Sequence, residues 1–246
     1  MKKRILSFAL AALLVLGLFG CAKPAQETTD DVTPVTMEAK QTAASADMTP
    51  TPDPYDTGEL GIVILREQDE DMINNYSVIA VNEAAPFKDA DGKAVSGVAI
   101  NTVGAKALAD WLMSDEAAQL IAGYGVSQYG EALFYLTDDK PVSTAKIPQA
   151  TDATKAIRLS TTTSVNDSGL LAYLLPAFES KYGYTVEVSS AGTGKAIAAA
   201  TMGNADLILV HSQSQEEAFV ADGYAKLLDG YTSERLTFMY NYFVLV

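Results

Sequence analysis

A cluster of hydroxyl side chains is the part of the sequence best suited to chemistry. Residues 160–164 read S-T-T-T-S and follow a short apolar run that contains Ile157 and Leu159. Ser168 then precedes an apolar pattern with helical spacing. This order predicts a strand, a polar turn and a helix start, where backbone N–H groups, hydroxyls and the positive end of a helix dipole meet. An anion fits there, although the same hydroxyls could simply cap a helix and solvate a loop.

The donors offered by this turn are neutral, because residues 160–168 contain no lysine or arginine. An oxyanion bound there would be held by hydrogen bonds alone. A second turn, A-G-T-G-K at 191–195, resembles half of a nucleotide phosphate loop, but Ser189 stands where that loop needs glycine. We therefore expect no nucleotide, and we expect Thr193 to offer its hydroxyl at a second helix start.

The composition gives little support for a metal site, a cofactor site or a hydrolase site. His211 is the only histidine and Cys21 the only cysteine, so no metal site and no cofactor are predicted. Ser164, His211 and one of many acidic residues could form a hydrolase triad, but the nucleophile elbow G-x-S-x-G is absent. A hydrolase remains an alternative, and His211 is interpreted as a structural residue at the end of a buried strand.

Several motifs in the second half of the chain resemble one known family. In order they read L-S-T-T-T-S-V-N-D-S-G-L-L from 159, V-E-V-S-S-A-G-T-G-K-A from 186, N-A-D-L-I-L-V-H-S from 204 and M-Y-N-Y-F-V-L-V from 239. They resemble tungstate-binding proteins, the substrate-binding components of ABC importers. The resemblance implies a binding protein and not an enzyme, with tungstate or the related molybdate as ligand and an ABC permease subunit as partner. The ligand-binding residues it implies are Thr162, Thr163, Ser164, Thr193 and Ser168.

The motifs of this family occur in reversed order. Residues 58–138, with V-I-L-R-E-Q-D and N-N-Y-S-V-I-A-V-N, resemble the family's carboxy-terminal part, whereas residues 157–246 resemble its amino-terminal part. A polar linker, 139–156, joins them. We expect the two blocks to pack as one lobe of a permuted or fragmentary binding protein, whose full gene continues past Val246 with the missing lobe. A truncated single lobe with weak or no ligand binding is the alternative.

The fold class implied is α/β, similar to type II periplasmic binding proteins, mainly one lobe with a mostly parallel sheet flanked by helices. Alternation of strand and helix patterns in the second block agrees with parallel strands joined by crossovers. The predicted strands are 61–65, 76–82, 131–135, 157–160, 185–189, 206–210 and 238–246. The predicted helices are 103–113, 115–123, 169–181, 194–202 and 213–221.

The first residues have the composition of a targeting segment. Residues 1–21 combine three basic residues, a short apolar run and a small residue before Cys21, which is typical of a bacterial lipoprotein signal. Residues 22–57 are rich in Thr, Pro, Ala and Asp without apolar periodicity, so we expect a disordered tether. This predicts an extracytoplasmic protein that is anchored to the cell membrane by a lipid on Cys21.

The net charge of −14 limits the choice of partners. Nucleic acid is not expected as a partner, because binding to phosphates needs clustered lysine and arginine. An anionic ligand gains nothing from the global charge either. Local dipoles must therefore hold it.

Overall fold

The computed structural model describes residues 65–246. The predicted signal segment 1–21 with the lipidation site Cys21, the tether 22–57 and nearly all of the predicted strand 61–65 lie outside the described residues. The described residues belong to one compact unit.

A single six-stranded sheet contains strands from both blocks of the sequence. The strands are β1 (Ile73–Ala80), β2 (Tyr135–Leu136), β3 (Ala156–Thr162), β4 (Thr185–Ala191), β5 (Leu207–Val210) and β6 (Leu236–Tyr242). Their order in the sheet is β2-β6-β1-β5-β3-β4. β3 is parallel to β4 and β5, whereas β1 is antiparallel to β5 and β6, and β2 is antiparallel to β6.

The sheet is therefore mixed, and the prediction of a mostly parallel sheet needs correction. The alternation of strands and helices applies only to β3, β4, β5 and β6, which all run in one direction because β5 and β6 are both antiparallel to β1. β1 and β2 come from the first block, outside this alternation. β1 enters between β5 and β6 in the opposite direction, so each of its two pairings is antiparallel.

The predicted helices all form, with bounds within one residue of those expected. The helices are α1 (Thr102–Leu112), α2 (Asp115–Gly123), α3 (Val126–Tyr129), α4 (Thr163–Asp167), α5 (Leu170–Tyr182), α6 (Thr193–Thr201) and α7 (Gln213–Ala221). The two short helices α3 and α4 and a 3-10 turn at Glu70–Met72 were not predicted, since so few residues carry no periodic signal.

Hydrophobic residues fill both faces of the sheet, which confirms the expected α/β class. On one face α1, α2 and α5 cover the larger core, where Trp111 is fully buried and its ring centroid lies 5.5 Å from that of Phe178. On the other face α6 and α7 cover a smaller core around Ile79, Ile208 and Phe219. Residues 76–80 of β1 are all buried, as expected for a strand that is covered on both faces.

Asn101 ties helix α1 to the start of strand β3. Its side-chain oxygen accepts the N–H of Gly104 at 2.9 Å and thereby caps the helix. Its side-chain nitrogen donates to the carbonyls of Thr154 and Ala156, both at 2.7 Å. Glycine is needed at 104, because a Cβ there would lie 2.7 Å from a side-chain carbon of Ile157. The first block and the end of the linker are thus joined by hydrogen bonds.

Within residues 65–246, no helix has both the length and the apolar character that a membrane crossing requires.

Candidate functional site

Three turns meet at one edge of the sheet, because the strands before them are parallel neighbours. Thr162 at the end of β3 pairs with Ala191 at the end of β4, and Thr161 pairs with Leu209 near the end of β5. The turns at 162–164, 191–193 and 211–213 therefore lie side by side. In open α/β sheets, ligands bind beyond the carboxyl ends of the strands, which is this edge.

The first turn presents three of the predicted binding residues. Thr162 is buried and precedes α4, while Thr163 and Ser164 are exposed in its first turn. The hydroxyl oxygens of Thr162 and Ser164 are 3.0 Å apart and share one hydrogen bond. Of these three residues, only Thr163 and Ser164 are exposed at the surface, and Thr162 makes no side-chain cap to α4.

Ser168 is placed differently from the other predicted residues. The short helix α4 separates it from the turn, and Ser168 lies between α4 and α5. Its hydroxyl donates to the carbonyl of Val165 at 2.7 Å and accepts the N–H of Leu170 at 3.3 Å. The Ser168 hydroxyl thus both donates to and accepts from the backbone of its own segment, and Ser168 lies six residues past the end of β3.

Thr193 stands at the second turn. It is the first residue of α6, directly after β4, and Gly192 before it provides no side-chain cap. The pairing of Thr162 with Ala191 puts this helix start next to the first turn. The α6 N-terminus consequently keeps free donor groups at the same edge as the hydroxyl cluster.

His211 stands at the third turn, next to Ser164. It follows β5 directly, and its Nε2 atom lies 3.3 Å from the Ser164 hydroxyl oxygen. Burial lowers the pKa of His211 from its ordinary value, although a hydrogen bond with its own backbone and the charge of Glu216 oppose the shift. The ring is therefore neutral at neutral pH. Sequence reasoning assigned it only a structural role, yet its position after a parallel strand matches that of Thr162.

Below the hydroxyl cluster lies a buried polar chain that sequence reasoning missed. The side-chain nitrogen of Asn74 donates to the Tyr76 hydroxyl at 2.9 Å and to the Asn241 side-chain oxygen at 3.0 Å. The Tyr76 ring centroid is 5.1 Å from that of His211. Burial raises the pKa of Tyr76, with hydrogen bonding to Ser164 among the opposing effects, so the hydroxyl keeps its proton.

A buried acidic residue next to the third turn is neutralised by an arginine. Glu216, in the first turn of α7, is buried and accepts from the Arg235 guanidinium at 2.8 and 3.0 Å. Its other oxygen accepts the N–H of Ser212 at 2.8 Å. In the part of the chain that the structure describes, no cluster of three His, Cys, Asp or Glu residues could hold a metal ion. The edge therefore presents hydroxyl, imidazole and backbone N–H groups, which can donate to an anion.

Several known proteins are similar to this chain in sequence. The family described as PBP superfamily domain matches residues 148–246. The chain is 48% identical over 98 residues to the tungstate-binding protein TupA of Peptoclostridium acidaminophilum, which covers 40% of this chain and 32% of that protein. It is 32% identical over 83 residues to TupA of Campylobacter jejuni, covering 34% of this chain and 28% of that protein. These relatives are named as binding proteins.

The chain spans about a third of the length of these curated relatives. Among solved structures, a phosphate-binding protein of a phosphate ABC transporter from Streptococcus pneumoniae superposes with a TM-score of 0.40 at 13% identity, over 69% of this chain and 51% of that one. The sequence matches confirm the resemblance to tungstate-binding proteins that the motifs predicted, and residues 148–246 match the model of a PBP superfamily domain.

Proposed function

We propose that this chain is a substrate-binding component of an ABC importer and binds an oxyanion, tungstate foremost and molybdate as the related ligand. The observation that carries the proposal is the cluster of three hydroxyls on Thr162, Thr163 and Ser164. This cluster lies beside the helix start at Thr193, at the carboxyl edge of parallel strands. One relative, which is 48% identical over 98 residues, is named as a tungstate-binding protein.

Neutral donors suit an anion that must be bound and then released to a permease. Each net hydrogen bond to a charged group contributes about 1.5–3 kcal/mol, so a few hydroxyl and N–H groups suffice for useful affinity. The net charge of −14 repels anions at long range, but salt screens it beyond about 10 Å. The ABC permease subunit is the protein partner in this proposal.

The proposal includes weak binding of tungstate by this lobe. Thr163 and Ser164 are exposed, so water and salt compete with the ligand for their hydroxyls. Tight binding in two-lobed proteins comes from closure of a second lobe, which excludes water and strengthens each hydrogen bond. We expect tungstate affinity in the micromolar range or weaker, about 8 kcal/mol or less of binding free energy.

Titration calorimetry with sodium tungstate tests this function on the wild type and on Thr163→Ala and Ser164→Ala. Each variant should lose about tenfold to a hundredfold in affinity. Ser180→Ala is the matched control, because this exposed hydroxyl donates to Ala177 at the opposite end of α5. Equal affinities in all four proteins, or no heat of binding in the wild type, would count against the assignment.

The proposed location is extracytoplasmic, with a lipid on Cys21 as anchor and residues 22–57 as tether. The lipoprotein-type composition of residues 1–21 supports this. In a bacterial host, Cys21→Ser should move the chain from the membrane fraction to the soluble extracytoplasmic fraction. Retention of Cys21→Ser in the membrane fraction would refute the lipid anchor and leave the binding function untouched.

A hydrolase is the second candidate function, favoured by the 3.3 Å distance between Ser164 Oγ and His211 Nε2. A serine within reach of a histidine is the usual arrangement of an activated nucleophile. The nearby carboxylate of Glu216 is engaged by Arg235 and Ser212, so it does not orient the imidazole. Turnover of a chromogenic ester that disappears in Ser164→Ala would support this function, and equal background rates in both proteins would exclude it.

A further inference from the structure

His211 occupies a position in the hydroxyl cluster that a purely structural histidine does not need. Its ring lies at the third of the three parallel-strand turns, and its Nε2 atom faces the exposed Ser164 hydroxyl. It is partly exposed at the same edge. A group that reaches both Ser164 and solvent also reaches an anion that Ser164 binds.

We propose that His211 is a direct ligand of the oxyanion and that it takes up one proton when the anion binds. The inference rests on the proposed function and adds to it the charged group that the hydroxyl cluster lacks. Without ligand, the neutral imidazole accepts the Ser164 proton at Nε2. With the anion in place, Nε2 carries a proton and donates it to an anion oxygen, and the Ser164 hydroxyl is released to donate to the anion as well.

The surroundings of His211 keep the ring neutral until an anion arrives. Tyr76, on β1, lies against the ring and stays protonated. Glu216, on α7, is the acidic group whose charge acts on the imidazole, and Arg235 holds that carboxylate. Burial therefore dominates, and it lowers the pKa of His211 in the free protein. A bound dianion next to the ring reverses this balance, because an opposite charge within about 4–6 Å favours the charged form.

Proton uptake makes oxyanion affinity depend on pH in a defined direction. The bound state holds more protons than the free state, so affinity rises as the pH falls. Between the pKa of the bound protein and that of the free protein, the dissociation constant falls by at most about tenfold per pH unit for one proton. Hydroxyl and backbone donors alone give no such dependence in this range, because they do not titrate there.

The single histidine makes the measurement direct. One set of imidazole NMR signals reports His211, since the chain has no other histidine. The titration is recorded without ligand from about pH 8.5 to about pH 4.5, on both sides of the ordinary histidine pKa, and with saturating sodium tungstate from about pH 8.5 to about pH 6.5. We expect the pKa to rise by at least one unit with tungstate. Calorimetry in buffers of different ionisation enthalpy should give uptake of up to one proton per anion.

Two substitutions of His211 distinguish a direct ligand of the anion from a purely structural residue. His211→Gln keeps an N–H donor but cannot titrate, so tungstate binding should weaken by about tenfold or less and lose its proton uptake. His211→Leu keeps the volume and removes the donor, so binding should weaken further while circular dichroism stays native. Thr163→Ala is the control: it weakens binding and leaves proton uptake unchanged.

The outcomes distinguish this inference from the function on which it rests. Wild-type tungstate binding with no proton uptake and an unchanged histidine pKa would overturn the role of His211 and leave the oxyanion site standing. Absence of tungstate binding in the wild type would overturn both. Proton uptake that persists in His211→Gln would place the proton elsewhere and refute the inference as well.

Discussion

The Arg158 guanidinium and the Asp206 carboxylate form an ion pair at the start of the parallel strands. One guanidinium nitrogen lies 2.6 Å from a carboxylate oxygen, and Asp206 is 1% exposed. The same carboxylate accepts the backbone N–H groups of Arg158 and Asn101, both at 2.8 Å. One buried charge thus joins β3, the start of β5 and the segment before α1.

Replacement of this carboxylate should destabilise the fold strongly. Asp206→Ala leaves two backbone N–H groups without their acceptor and Arg158 without its partner, so we expect a loss of about 3 kcal/mol in the free energy of unfolding. Urea denaturation followed by circular dichroism measures it. Glu83→Ala is the control, because Glu83 pairs with Lys226 at the surface and its loss should cost about 0.5 kcal/mol or less. Similar losses in both variants would contradict the structural role given to Asp206.

The side-chain amide of Asn101 caps α1 and also donates to the entry of β3. A second stability prediction separates these two functions. Asn101→Ala removes the cap of α1 and both donors to the β3 entry, which should cost about 2 kcal/mol. Asn101→Asp keeps the oxygen that caps Gly104 but replaces the donors to Thr154 and Ala156 by an acceptor. If donation to these carbonyls matters, both variants unfold at lower urea concentration than the wild type. A stable Asn101→Asp would show that the cap alone matters.

Much of this fold follows from local sequence, because β3, β4 and β5 each precede a helix with clear apolar spacing. The place of β1 does not, since an antiparallel insertion between β5 and β6 depends on pairing between residues more than 120 positions apart. Helix α4 was missed because five residues carry no periodicity, and its presence removes Ser168 from the first turn.

The candidate site was predicted only where it is contiguous in sequence. The hydroxyls of Thr162, Thr163 and Ser164 follow one another, so the turn that presents them could be read directly. His211 and Tyr76 reach the same place from two other strands, and only the register of those strands shows it. A single histidine directly after a buried strand was the available signal.

Alkaline unfolding should depend on Tyr231. Burial raises the pKa of Tyr231, a hydrogen bond with Ser143 lowers it, and Asp110, which accepts from its hydroxyl at 2.9 Å, raises it again. Above about pH 10 the unfolded chain loses this proton while the folded chain keeps it. The unfolded state then binds fewer protons, so stability is present below about pH 10 and is lost as the pH rises.

Tyr231→Phe should therefore make the free energy of unfolding fall less steeply between about pH 9 and pH 11, where an ordinary tyrosine titrates. Urea denaturation at fixed pH values measures the slope. Tyr129→Phe is the matched control, because Tyr129 is 58% exposed. An unchanged slope in Tyr231→Phe would mean that this hydroxyl titrates alike in both states.

The last prediction concerns Arg235, which neutralises the buried Glu216 next to the third turn. Arg235→Leu leaves Glu216 buried without its cation, although Ser212 still donates to it. Removal of one partner of a buried pair costs about 3–5 kcal/mol, and partial exposure of Arg235 puts the expected loss of stability near 3 kcal/mol. The unpaired carboxylate then repels an anion bound at the neighbouring turn, so tungstate affinity should fall by about threefold to tenfold.

A second substitution separates these two effects of Arg235→Leu. Adding Glu216→Gln removes the uncompensated charge, so the double variant should recover tungstate affinity and part of the lost stability, as measured by calorimetry and urea denaturation. Glu217→Gln is the control, because this neighbouring carboxylate is 56% exposed and water screens its charge. If Arg235→Leu loses stability but keeps wild-type affinity, the charge of Glu216 does not reach the bound anion, and the oxyanion must lie away from the turn at His211.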